Sequence, residues 1–389
     1  MRVELINDTT ALSSFESEWQ KTWFLDPHAD VFASPFWFMN WWTKFGQGNN
    51  DAEGSLLFHH APAHPATVKV KNIQAHILAL RNGNDVLAVF PLLQVQSQWR
   101  RCPVTLLMPA LNNHSPRSGF TLAATLPVER QLLLSTAAQG LRRLKNWDVL
   151  LLDGISSQNM EDHSSYLQRT AAQRVSIGQA WGHSYIAFDQ DWDDYLRSQG
   201  RHFRKRLTQP ARAIAELGTI RCECMQGTKA ADIGMRAFVE IDISSWKSAS
   251  GETIADDSVG SYYDALVKRF SDAGLCHIWV LFINEEPAAS FICLTHRQVV
   301  YLIKTSFKQI FSSARHAPSR VLLGHMIEHY WKAGWKGMDC VGRMPFVERW
   351  SNQEILFHPS TGHGNNHYSR MLGWLGQMRS LVRGKPEHA

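Results

Sequence analysis

The sequence predicts a mixed α/β fold in two tandem domains, and three observations carry that expectation. The chain has 389 residues, and a single core rarely keeps growing beyond roughly 250–300 residues. Its apolar runs are strand-sized and are interspersed with helix signals. One order of elements also occurs twice: a hairpin, a strand, a helix, then a short strand that follows a Trp and ends at an Asp. Identities between the two copies are few, so the repeat is weak, but it favours two similar domains over one large sheet.

The first copy opens with a strand, Arg2 to Ile6, and a helix. A second helix begins at Ser34-Pro35, with Ser34 suited to the N-cap and Pro35 to the first helical position, and Gly46 stops it. Residues 49–71 read as a polar connection. A hairpin follows, with His76 to Leu80 and Val86 to Val95 joined through Asn82-Gly83. A strand from Val104 to Met108, a helix from about Pro127 to Leu144, and the strand Trp147 to Leu152 before Asp153 complete the copy.

In the second copy the hairpin is His277 to Leu281 and Ala288 to Leu294, turning at Asn284-Glu285-Glu286. A strand from Val299 to Thr305, a helix from about Pro318 to Lys332, and a strand around Trp335 to Val341 follow. The boundary is placed near residue 188, giving domains 1–188 and 189–389. Next to it lies the most basic segment, with Arg197, Arg201, Arg204, Lys205, Arg206 and Arg212. Leu196, Phe203, Leu207 and Ile214 fall on one helical face and leave the cations on the other. Pro210 is expected to kink this helix.

Composition narrows the functional classes. Hydrophobic residues make up 44% and charged residues 19% of the chain, as in ordinary globular proteins. The net charge of +5 is weak for a dedicated nucleic-acid binder but compatible with a local phosphate site. The 15 Trp and 19 Phe are assigned mainly to cores. No apolar run reaches membrane-spanning length, and residues 1–10 do not read as a signal peptide. The six Cys show no metal spacing; Cys222 and Cys224 would share one strand face as buried thiols. A reduced, cytoplasmic protein is therefore expected. His358, His363 and His367 lie in Gly/Asn/Ser-rich sequence and read as a mobile loop, with no metal assigned. No P-loop, dinucleotide fingerprint or Ser-His-Asp order is present.

Several short motifs, in order across most of the chain, resemble the CelD-like acetyltransferases, which are related to the GNAT superfamily and more distantly to the Fem aminoacyl transferases. They are Phe32-x-Ser34-Pro35-x-Trp37 with Trp41-x-x-x-Phe45-Gly46, then Tyr195-Leu196-x-Ser198 with Arg204-Lys205-x-Leu207. Ser245-Trp246-Lys247, Glu286-Pro287-Ala288-Ala289, Tyr301 and Pro318-Ser319-Arg320-Val321-Leu322-Leu323 follow. The last is Ala333-Gly334-Trp335-x-x-Met338-Asp339, with Gly342 and Trp350 beyond. The resemblance implies two GNAT-like halves, each a mostly antiparallel sheet flanked by helices. The first would be largely structural and the second would carry the site. Two positions depart from the family's pattern. Pro318-Ser319 stands where relatives read Pro-Gly, and Phe346-Val347 where they often read Tyr-Lys.

Acyl transfer to an amine needs a donor held by its phosphates and a group to take a proton. The helix start at Pro318 offers N–H groups and a positive dipole end. Ser319 is read as its possible N-cap, with Arg315, His316 and Arg320 beside it, so Arg315, Pro318, Ser319 and Arg320 are the candidate acyl-CoA-binding residues. Asp339 ends a strand and is expected to face a cleft between the halves as the base; orienting Lys336 or Arg343, or capping the next turn, is the structural alternative. Lys304, three residues after Tyr301, could polarise a carbonyl, and the two complete the catalytic candidates. Trp246 and Lys247, with Glu240 and Asp242 before them, could form an acceptor wall, although Trp246 alone reads as core. Arg204 and Lys205 are further substrate-binding candidates.

The function expected from residues and resemblance together is an N-acyltransferase using acetyl-CoA or another acyl-CoA, by direct attack of a small-molecule amine. The alternatives are a Fem-like transferase taking an aminoacyl group from tRNA, and a degenerate scaffold that binds without catalysis. A monomer is consistent with two halves that cover each other.

Overall fold

The protein is described from a computed structural model, which covers the chain apart from residues 47–55, 60–64, 69, 100–101, 125–126, 145, 156–166, 168, 170, 251–252, 256, 312–315 and 383–389. The chain runs β1 (Arg2–Ile6), α1 (Thr9–Leu25), α2 (Pro35–Trp41), β2 (Leu56–His59), β3 (Pro65–Val68), β4 (Val70–Asn82), β5 (Asp85–Trp99), β6 (Cys102–Met108), β7 (Thr121–Leu122), α3 (Pro127–Arg143), β8 (Val149–Leu152) and β9 (Gln173–Ile177). It continues as β10 (Trp181–Ala187), α4 (Trp192–Ser198), α5 (Arg201–Ala215), β11 (Ile220–Gln226), α6 (Met235–Ile243), α7 (Asp257–Asp272), β12 (Cys276–Ile283), β13 (Glu286–His296), β14 (Val299–Phe307), α8 (Pro318–Lys332), β15 (Gly337–Asp339), α9 (Pro345–Glu348) and β16 (Gln353–Phe357). It ends with β17 (Ser360–His363) and α10 (His367–Val382).

Two compact units form. The first is Met1–Gly182 with Leu356–Ala389, the second His183–Ile355. The last stretch, placed with the second domain on sequence, thus counts with the first. The reason is β17, which hydrogen-bonds antiparallel to both β8 and β9. The His-rich segment read as a mobile loop is therefore partly a strand, with His363 buried. Residues 49–71, read as a plain connection, also hold the antiparallel pair β2–β3.

The first unit's main sheet has the order β1-β4-β5-β6-β8-β17-β9, mostly antiparallel. Its local signals act as expected: Ser34 Oγ accepts from the Trp37 amide and caps α2. Aromatic rings fill the core around α1 and α2, and two of the indoles are fixed there by hydrogen bonds from their N–H groups. Trp19 Nε1 donates to the Ala33 carbonyl and the Thr121 hydroxyl, and Trp23 Nε1 to the Asp30 carbonyl. Two buried carboxylates complete the frame, Asp26 accepting from Arg130 at 3.0 Å and Asp30 from Arg117 at 2.6 Å.

The second unit's sheet has the order β11-β12-β13-β14-β15-β10-β16. The hairpin β12–β13 turns through Asn284 and Glu285, both at positive φ, as a two-residue hairpin requires. One face of this sheet is a continuous apolar layer of Trp279, Leu281, Phe291, Cys293, Leu302 and Met338. Helix α8 covers it with Leu322, Leu323, Met326 and Tyr330, and Trp192, Tyr195 and Ile214 of α4 and α5 join the same core. The basic segment is two helices, divided at Gln199–Gly200. Helix α5 continues through Pro210 rather than breaking there. Pro210 is buried, so its ring packs inward while the helix forgoes one hydrogen bond.

Candidate active site

Strand β14 has two neighbours of unequal length. It pairs antiparallel with β13 from Val299 to Phe307. It pairs parallel with β15 over Val299–Tyr301 only, the last partners being Tyr301 and Asp339. Beyond Asp339 the chain stays with β10 instead, the Cys340 amide donating to the Ser184 carbonyl at 3.0 Å and the Ser184 amide to the Gly342 carbonyl at 3.1 Å. The two parallel strands therefore part, with Tyr301 and Asp339 at the base of the notch.

A second irregularity decides which side chains face that notch. In the β13–β14 ladder the register shifts between Ile292 and Cys293, so Leu302 pairs with Cys293 while Lys304 pairs with Ile292. Three residues apart on a regular strand, Tyr301 and Lys304 would point to opposite faces. The extra residue in the bulge returns Lys304 to the face of Tyr301. Cross-strand partners share a face, so Asp339, opposite Tyr301, and Tyr185, opposite Asp339, lie there too. His183, two residues before Tyr185, completes the row.

Asp339 is fully buried. Its Oδ1 accepts from the Val341 amide at 2.9 Å and lies 4.0 Å from His183 Nδ1. Val341 has φ 48°, so Asp339 caps a strained turn as well as facing His183. Of Lys336 and Arg343, the two cations that the sequence offers Asp339 to orient, Arg343 pairs with Glu354. Tyr185 is pushed up to about 12, first by burial and then by the charge of Asp339; it is a proton donor, not a phenolate, at neutral pH. Sequence reasoning missed His183 and Tyr185. They precede Asp339 by more than half the second unit, and nothing local in Trp181–Ala187 marks them.

The Lys304 ammonium lies 5.0 Å from the centre of the Tyr263 ring. Further along the same face Asp242, fully buried, accepts from Ser306 Oγ at 2.7 Å and from the Ile254 amide at 2.7 Å. Lys247 Nζ reaches the Thr305 carbonyl at 2.5 Å and Asp242 at 3.5 Å, so it ties the helical layer to β14. Glu240 is engaged by Lys308 at 2.7 Å. Trp246 is 48% exposed, not core as it reads alone. Arg204 and Lys205 are exposed on α5.

Helix α8 begins at Pro318, as expected, but its N-cap is Ala317 in the left-handed conformation (φ 41°). Ser319 is therefore the second helical residue and not the cap. Pro318 has no N–H, and the Arg320 and Val321 amides both donate to the Ala317 carbonyl. What the first turn still offers an anion is the amide of Ser319 and its Oγ, which has no partner among the described residues. Arg315 lies outside the described residues.

Arg320, in that first turn, also lines a cavity of about 180 Å³ with Arg206 and Phe203 of α5, Phe346 of α9, Arg349 and Trp350. Among the described residues no three His, Cys, Asp or Glu side chains are gathered as a metal site, and no helix is long and apolar enough to cross a membrane.

No curated protein sequence matches the chain. Among solved structures, the chain is similar to FemX, at 12% identity and a TM-score of 0.53, over 91% of this chain and 96% of that one. It also aligns with a conserved protein of unknown function from Bacteroides thetaiotaomicron, at 9% identity and a TM-score of 0.49, over 93% of this chain and 100% of that one. A tandem GNAT protein from the clavulanic acid biosynthesis pathway aligns at 11% identity and a TM-score of 0.39, over 94% and 99%. At such identities the FemX likeness is one of fold. Residues 201–353, the segment that carries Tyr301, Lys304 and Asp339 together with the arginine-lined cavity, match the acetyltransferase (GNAT) domain family, which supports acyl transfer as the class of activity.

Proposed function

We propose that this chain is an N-acyltransferase that moves an acyl group from a CoA-type thioester to a small-molecule amine. The observation that carries the reading is the notch where β14 and β15 part, with Tyr301 and Asp339 at its base and Lys304 returned to the same face by the bulge. Parted parallel strands leave backbone donors and acceptors unpaired at their edges, and an extended amide-bearing ligand can use them as a third strand would.

In this reading the neutral amine attacks the thioester carbonyl, the C–N bond forms and the C–S bond breaks, and sulfur leaves as a thiol. The proton shed by the attacking nitrogen passes to Asp339, which His183 faces at 4.0 Å. Tyr185, held protonated by burial, donates to the departing sulfur. Lys304 stabilises negative charge developing on the carbonyl oxygen. Trp246, exposed beside Lys247, forms part of the acceptor's contact surface. The donor's phosphates lie toward the first turn of α8, where Ser319 and Arg320 stand.

The test is release of free thiol from a panel of acyl-CoA esters in the presence of amino sugars and amino acids, with Asp339→Asn as the comparison. Amine-dependent release that Asp339→Asn removes supports the reading. Absence of release with every donor and acceptor pair overturns it.

A second reading, aminoacyl transfer from tRNA, is favoured by one feature: Arg201, Arg204, Lys205 and Arg212 are all exposed along α5. Activity that appears only with charged tRNA and falls steeply with salt would establish it, because phosphate contacts release counterions. Binding without turnover of either donor would leave the scaffold reading.

A further inference from the structure

We propose that α10 is an interfacial helix, which lays its outer face on the surface of an anionic lipid bilayer. It belongs to the first unit and lies beyond the segment that matches the acetyltransferase domain, so nothing in the acyl-transfer reading is needed for it. The helix is fixed to its unit along one side. Asn366 Nδ2 and Ser369 Oγ both donate to Asp148 Oδ1 at 3.1 Å, and the Tyr368 hydroxyl donates to the Pro103 carbonyl at 2.7 Å. Ser369 and Leu372 are buried. Gly373 sits so close that a Cβ there would stand 2.9 Å from the Arg174 side chain and 3.0 Å from that of His363. At helical spacing the sequence continues this side with two more small residues, Gly376 and Ser380.

The opposite side presents apolar side chains to the outside. Met371 is 46% and Trp374 52% exposed. At about 100° per residue, positions 375, 378 and 381 fall on the same side through the remaining turns, and the sequence places Leu375, Met378 and Leu381 there. Single exposed apolar residues are ordinary on a protein surface. A row of them along a whole helix marks a docking face.

Charge says what docks on it. By the same spacing Arg370 and Arg379 fall at the two edges of the row, and Arg174 joins the first edge by donating to the Arg370 carbonyl at 3.3 Å. Arg383 and Lys385 follow in the sequence, and no Asp or Glu occurs between Glu354 and Glu387. A row of Trp, Met and Leu bordered by cations alone complements a surface that is negative at its rim and apolar beneath, which is an anionic headgroup layer over acyl chains. Indole rings are favoured at that depth, and arginine stems are long enough to keep their guanidinium groups among the headgroups. A second copy of the chain is a poorer occupant. Two such faces packed together would gather Arg370 and Arg379 of both copies, and neither helix carries a carboxylate to answer them. With 16 residues the helix is about 24 Å long, shorter than the roughly 20 residues a span requires, so it lies in the plane of the interface.

The experiment is flotation of the full-length protein with vesicles of phosphatidylcholine alone and of phosphatidylcholine mixed with phosphatidylglycerol, at low and at high salt. Flotation with the anionic vesicles is expected, and salt should reduce it by screening the headgroup attraction. Trp374→Ser should weaken binding about tenfold or more, and so should Arg370→Gln combined with Arg379→Gln. Trp374 is exposed, so Trp374→Ser keeps the fold, and an unchanged unfolding midpoint checks that. Leu132→Ser removes an apolar side chain that is 55% exposed on α3 and should leave flotation as it is. Anionic vesicles that fail to carry the protein overturn the proposal, as do neutral vesicles that carry it equally well. So does Trp374→Ser protein that floats like the parent, or Leu132→Ser protein that is weakened as much as Trp374→Ser. A dimer in solution that Trp374→Ser dissociates, without binding to any vesicle, gives the face to a second copy and also overturns it. Thiol release is measured without lipid, so none of these outcomes touches the acyl-transfer reading.

Discussion

Tyr301 and Lys304 stand three positions apart on β14 yet project from the same face of the sheet, because the ladder slips by one residue opposite Ile292 and Cys293. The slip brings a cation to the row that holds Asp339, and the Tyr263 ring receives it at 5.0 Å. Lys304→Met should therefore separate two effects. Loss of the cation–π contact costs about 0.5–2 kcal/mol of stability, a small shift of the unfolding midpoint. Loss of charge at the notch should lower kcat by about tenfold or more, with KM for the donor less affected. Equal kcat for Lys304→Met and the parent would remove Lys304 from the chemistry.

What the sequence discloses and what it hides divide by range. The Ser34 cap, the hairpin turn at Asn284 and the Pro318 helix start are local events, legible because the residue that causes each lies within a turn of its effect. The strand Ser360–His363 was not legible, since its apolar partners Val149–Leu152 lie about two hundred positions away and its own Ser-Thr-Gly-His composition resembles a loop. The same holds at the site. Asp339 and Lys304 were legible as charged residues in apolar strands. His183 and Tyr185 became candidates only through the pairing of β10 with β15, and Lys304 acquired its direction only through a bulge. Ser319 was assigned the cap from its residue type, but the chain reaches α8 through a left-handed Ala317, which leaves the serine one position too far along.

Asp339 and Tyr185 are electrostatically linked, and that link can be read apart from turnover. Burial and the Asp339 charge together push Tyr185 up to about 12. Asp339→Asn should therefore lower its pKa toward the value that burial alone imposes. A difference titration of tyrosinate absorbance, with Tyr185→Phe to assign the signal, measures the change. The same variant should reduce transfer by about 10²–10⁴-fold if the carboxylate takes the proton. An unmoved Tyr185 titration would mean that the two groups do not sense each other.

Gly337 is required by geometry rather than by flexibility. A Cβ built there would stand 2.4 Å from the Tyr185 hydroxyl and 2.6 Å from the Ile186 carbonyl oxygen. The first neighbour can yield, but the second is backbone within the β10–β15 ladder. Gly337→Ala should cost about 1–3 kcal/mol, read as a lowered denaturant midpoint. Adding Tyr185→Ala should not restore it fully, because the carbonyl clash remains. Complete rescue by Tyr185→Ala would show that the strand gives way more easily than its hydrogen bonds suggest.

Acid should destabilise the protein well above the range where carboxylates titrate. His76 and His277 are pushed down to about 4 and His296 to about 3, each mainly by burial. His277 also shares a hydrogen bond of 2.6 Å with the Tyr330 hydroxyl, while His76 Nε2 has no partner among the described residues. A histidine held below its unfolded value of about 6.5 binds its proton first in the unfolded chain. Its contribution is thus complete above pH 6.5 and is lost as pH falls toward the folded values. Between those limits each histidine adds a slope approaching about 1.4 kcal/mol per pH unit. Denaturant midpoints measured from pH 7 to pH 4.5 should therefore fall steadily. His76→Leu, which removes the unpartnered nitrogen, should flatten that fall for the first unit while leaving the response of the second, where His277 and His296 lie, unchanged. A profile for His76→Leu as steep as the parent's would mean that His76 takes up its proton in the folded state after all.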